Sequence, residues 1–92
     1  MLQNLPPVNR PRRTRVSRRQ RALVRQFAAE LGGDLSPTEA SLVQQAAALV
    51  VQAEGLQRAM RKGEPVSVDD MVRASGETRR TLSALKRERA RR

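Results

Sequence analysis

Seven arginines fall between Arg10 and Arg21, and no acidic residue occurs among the first 29 positions. A guanidinium presents a planar fork of donors that grips a phosphate through two parallel hydrogen bonds. Arg10, Arg12, Arg13, Arg15, Arg18, Arg19 and Arg21 therefore have the chemistry of a polyanion handle. Arg18, Arg21 and Arg25 recur at spacings of 3 and 4, which puts them on one helix face and adds Arg25 to the set. No aromatic is interleaved among these eight candidate DNA-binding residues, so stacking on single-stranded bases is not supported. What remains is contact with phosphates, which gives affinity and salt sensitivity but no sequence information. A second basic set comprises Arg79, Arg80, Lys86, Arg87, Arg89, Arg91 and Arg92. It reads either as a second phosphate contact or docking tail, or as cations suited to the negative end of a last helix.

The net charge of +10 is unevenly spread. Residues 1–21 carry +7, residues 22–70 carry −3 and residues 71–92 carry +6, a near-neutral middle between two basic ends. Such a field concentrates anionic polymers at the ends and says nothing about fold. The absence of Cys and His removes disulfides, thiolate metal sites and the commonest general base. Local spacing places no carboxylate pair as a catalytic dyad needs. The expectation is a non-catalytic protein with no cofactor and no metal. The start MLQNLPPVNR lacks a secretory apolar stretch, and no run approaches the ~20 apolar residues of a membrane span, so a cytoplasmic protein with no membrane partner is expected.

Three helices must position these charges. Pro6, Pro7, Pro11 and the unpatterned run Arg12 to Arg15 predict an Arg-rich arm over 1–16, disordered when free. Ser17 with Gln20 reads as a capping box, and Leu23, Phe27 and Leu31 then recur every four residues until Gly32-Gly33, which predicts a helix over 17–31. Ser36, Pro37 and Glu39 occupy the cap, first and third positions of a second helix, expected over 37–62 and stopped by Gly63 and Pro65. Ser67 with Asp70 caps a third over 68–88, antiparallel to the second, leaving a basic tail over 89–92. The fold class is thus all-α: a long antiparallel helical hairpin, a shorter N-terminal helix, and a helical domain over 17–88.

Leu42, Ala46, Leu49, Ala53, Leu56 and Met60 form a heptad seam on the second helix, with Val43, Ala47, Val50 and Val51 alongside. One partner helix cannot cover both strips. Either the first and third helices flank the second, or the second also faces copies of itself, with Leu42, Val43, Ala46, Leu49, Val50, Ala53 and Leu56 as a homo-oligomer interface. On the third helix the corresponding seam is Val68, Met71, Ser75, Thr78, Leu82 and Leu85. An alternative breaks this helix at Ser75-Gly76, giving a helix-turn-helix regulator whose Arg79, Arg80 and Ser83 face the major groove.

Gly32-Gly33-Asp34 followed by Ser36-Pro37-Thr38-Glu39, the long Ala-rich helix, the Gly63-Glu64 link, and Arg80, Leu82 and Leu85 together resemble the small terminase subunits of phages, prophages and gene transfer agents. The likeness covers residues 22 to 86 or so. It implies a bacterial host and a DNA-packaging role, in which the small subunit binds double-stranded DNA, assembles into a ring and hands DNA to a large terminase subunit. Under it, Arg10 to Arg25 would contact DNA and the second helix would form the ring interface. The chain departs from the fuller family pattern in lacking a clear N-terminal helix-turn-helix domain. A different class of reading is a protein-interaction module that docks a partner helix and whose basic ends meet RNA or acidic protein.

Overall fold

A computed structural model describes the backbone of residues 10–91 and the side chains of residues 18–91. It contains α1 (Arg10–Glu30), α2 (Pro37–Arg61) and α3 (Val68–Ala90), with no strand among the described residues. Residues 1–9 of the expected arm and Arg92 of the expected tail lie outside the described residues. α1 begins at Arg10, so Ser17 sits inside the helix and not at its cap. Two properties of the sequence allow this early start. Arginine is among the better helix formers, and Pro11 falls in the first turn, where its missing N–H has no intrahelical partner to lose.

The helix ends follow local chemistry. Gly32 N–H donates to the Ala29 carbonyl at 3.1 Å and Gly33 N–H to the Ala28 carbonyl at 2.8 Å, closing α1 with a left-handed turn at Gly32 (φ +94°). Gly63 (φ +79°) closes α2 in the same way, its N–H donating to Met60 and that of Glu64 to Ala59. At the start of α2 the Ser36 hydroxyl accepts from Glu39 N–H at 3.1 Å, while Ser36 N–H donates to Glu39 Oε1 at 2.7 Å. At α3 the Ser67 hydroxyl accepts from Asp70 N–H at 3.2 Å.

α3 is unbroken through Ser75 and Gly76. A Cβ added at Gly76 would meet only the Arg80 guanidinium, at 3.5 Å and beyond, and that side chain is flexible. Gly76→Ala should therefore stabilise the protein by about 1 kcal/mol through helix propensity and loss of unfolded-chain freedom. Urea unfolding followed by circular dichroism checks this, and a destabilised variant would indicate a turn at that point.

α2 contacts both α1 and α3, whereas among the described residues the Cα atoms of α1 and α3 nowhere come within 8 Å of each other. α2 and α3 make a hairpin-like pair: Arg89 near the end of α3 reaches Glu39 at the start of α2, and Met71 and Ala74 line a pocket with Leu56 and Gln57. The molecule is flat, 53 × 36 × 20 Å, with a radius of gyration of 16.3 Å. A compact chain of this length would have about 12 Å. The buried apolar core is correspondingly thin: Leu23, Val43, Ala46, Ala47, Ala74 and Leu85.

The expected seam of α3 is corrected in phase. Met71, Ala74, Thr78, Thr81 and Leu85, again at 3 and 4 spacing, turn inward, while Val68, Ser75 and Leu82 are exposed. Small residues lie where the helices cross because they let the backbones approach. The 3 and 4 spacing counted from Val68 selected the neighbouring stripe instead.

Candidate nucleic-acid interface

At 100° per residue, Arg18, Arg21 and Arg25 fall within an arc of about 60° on α1. All three are exposed, on the face opposite buried Leu23. None of them has an ion-pair or hydrogen-bond partner among the described residues. Their span along the axis is about 10 Å, and duplex DNA carries one phosphate per 3.4 Å of axis on each strand, so three guanidinium groups match about three successive phosphates. Arg10, Arg12, Arg13 and Arg15 share the helix backbone, and their side chains lie outside the described set.

Arg19 is not part of this open face. Its Nε donates to Glu54 Oε1 at 3.1 Å and its Nη2 to Glu54 Oε2 at 2.6 Å, so its fork is closed on a carboxylate of α2. These hydrogen bonds hold the Glu54 carboxyl below its usual range and raise the Arg19 guanidinium further. Glu54 is lowered on folding, so the pair's contribution is present above the ordinary carboxylate pKa and lost as pH falls through the lowered one. Both side chains remain partly exposed, and salt screens the pair. Its effect is to orient α1 on α2.

The second basic set divides. Arg79, Lys86 and Arg87 are exposed with no partner among the described residues. Arg80 lies 3.4 Å from Glu77, and Arg91, at the C-cap of α3, 3.5 Å from Glu88, each an exposed arginine beside a half-buried glutamate three residues earlier. Arg89 belongs to the scaffold, which corrects its assignment as a basic contact. Its Nη2 donates to the Leu31 carbonyl at 2.5 Å, and its Nη1 to the Asp34 carbonyl and to Glu39 Oε2, both at 3.2 Å. One side chain thus ties the end of α1, the following loop and the α2 cap to α3. The Glu39 side chain is 0% exposed and that of Arg89 31%. The cap glutamate was legible in Ser36-Pro37-Thr38-Glu39, but its partner lies 50 residues away and no local pattern signals it.

Of the expected self-association residues, Val43 and Ala46 are fully buried inside the single chain, which leaves them no surface for a second copy. Leu42, Leu49, Val50, Ala53 and Leu56 are half-buried. The cause is that α1 and α3 both pack on α2 and cover its apolar strips. Among the described residues there is no group of three or more His, Cys, Asp or Glu placed to hold a metal, and no helix long and apolar enough to cross a membrane. No family model matches the sequence, and no curated protein or solved structure is significantly similar to it.

Proposed function

We propose that this protein binds double-stranded DNA through the outward face of α1 and acts as a self-associating, non-catalytic adaptor of the small-terminase kind, passing DNA to a packaging motor. The observation that carries the DNA reading is the open row Arg18, Arg21 and Arg25, aimed away from the core and unpaired among the described residues, on a helix whose only acid is Glu30. The start of α1 points the same way. Arg10, Arg12 and Arg13 occupy the first turns, which contain no acid. Cations there face the positive end of the helix dipole, so the arrangement is unfavourable alone and is relieved by an anionic polymer. A helix on the outside of a 20 Å slab can approach a duplex without rearrangement of the fold. The hairpin-like pairing of α2 with α3 fits an antiparallel hairpin, the element that the small-terminase likeness requires. The regulator alternative needs a turn at Ser75-Gly76, where α3 is continuous.

The test combines Arg18→Gln, Arg21→Gln and Arg25→Gln in one variant and measures its affinity for a random-sequence duplex by fluorescence anisotropy over about 50 to 200 mM salt. The salt slope should fall by about 0.9 for each lost contact, roughly 2.7 in all. Circular dichroism should be unchanged, because the face is solvated. Unaltered affinity and slope would refute the α1 interface. A variant that weakens RNA and leaves duplex DNA bound would shift the reading to RNA.

A further inference from the structure

Three of the four large apolar side chains exposed among the described residues lie on α3: Val68 at 71%, Val72 at 66% and Leu82 at 45%. At 100° per residue they share an arc of about 80° on the side of the helix away from buried Ala74 and Thr81. Val68 and Val72, one turn apart, form a ridge near the start of the helix. Leu82 lies at a trench of about 640 Å³, walled by Phe27 and Leu31 on one side and by Leu82 and Leu85 on the other, with Lys86 at the edge. The trench exists because α1 and α3 both pack on α2 while their Cα atoms nowhere come within 8 Å of each other among the described residues. Phe27, the one aromatic of the chain, lines it half-exposed.

We infer that a second copy of this chain covers this surface, with the two α3 helices antiparallel and the ridge of each copy entering the trench of the other. The inference rests on the self-association proposed above and assigns it to α3. Charge distribution fixes the occupant and its direction. α3 carries exposed Asp69 in its first turn and exposed Lys86 and Arg87 towards its end, whereas Asp70 is paired with Arg73 and Arg89 with Glu39. An antiparallel pair brings acids against bases at both ends, whereas a parallel pair opposes like charges. In a register centred at the level of Glu77, Val72 falls opposite the partner's Leu82, and Asp69 lies beside the partner's Lys86. Ser75 is then level with the partner's Arg79. The pairing is isologous, so every contact occurs twice and the assembly closes at two chains through this surface, the commonest form of homo-oligomer. Larger rings would need a further, different contact.

Light scattering coupled to size exclusion tests this on the full chain. The wild type should run at twice the 10.3 kDa chain mass or a multiple of it. Val72→Asp and Leu82→Asp should each lower that mass, while helicity by circular dichroism is retained because both side chains are exposed. Asp69→Lys and Lys86→Asp should each weaken association at low salt, and the two together should restore it, an outcome that general loss of stability would not produce. A wild type of single-chain mass overturns self-association as a whole. A wild-type multimer whose mass is unchanged in Val72→Asp, or a charge swap that fails to restore association, overturns the α3 pairing while leaving self-association through another surface.

Discussion

Arg89→Ala is expected to lower the unfolding free energy by about 3 kcal/mol. Removing one partner of a buried ion pair costs about 3 to 5 kcal/mol, because the other charge is left without compensation. The lower figure applies here because Arg89 keeps some contact with solvent, although Glu39 has none. Glu39 Oε1 would still accept from Ser36 N–H, but its Oε2 would lose the guanidinium. The carbonyls of Leu31 and Asp34 would lose the same donor group. A domain of this size has a total stability near 5 kcal/mol, so the variant keeps about 2 kcal/mol and its unfolded fraction should rise roughly 100-fold, to a few per cent. Arg89→Lys should rescue only part of the loss, since an ammonium cannot span three acceptors with a planar fork. Thermal and urea unfolding measure both, with Arg87→Ala as the exposed comparison, expected within about 0.5 kcal/mol of wild type. If Arg89 served only as a DNA contact, Arg89→Ala would unfold like wild type and bind duplex less well.

That contrast shows where the sequence was informative. Several signals encoded within four or five residues were legible, namely the Ser36 and Ser67 caps with the starts of α2 and α3 and the glycines ending α1 and α2, whereas the capping box read at Ser17 lies inside α1. The open arginine face of α1 was also legible, because a face is a matter of spacing. What was not legible was each pairing across elements. Arg19 reads like Arg18 until Glu54 is brought within 2.6 Å of it from 35 residues away. Arg89 reads like Arg87 until the end of α1 and the α2 cap are assembled beside it. The start of α1 was placed too late because a solvated turn of arginines carries no apolar period, yet arginine favours the helix.

The least legible region was the Ala46-Ala47-Ala48-Leu49-Val50-Val51 run, in which apolarity at every position allows either an internal crossing or a face for a second copy. The structure puts Ala46 and Ala47 at zero exposure and leaves Ala48 open. Ala47→Leu should therefore cost about 2 to 3 kcal/mol, because the added methylenes enter space already filled and push a neighbouring helix aside. For a domain of this length that corresponds to a fall in Tm of roughly 10 to 20 °C. Ala48→Leu, one residue on, should change stability by no more than about 0.5 kcal/mol. Differential scanning calorimetry at several protein concentrations separates the possibilities. If the run served as an interface between copies, Ala47→Leu would chiefly change the concentration dependence of Tm. If it is an intramolecular crossing, Ala47→Leu lowers Tm equally at every concentration.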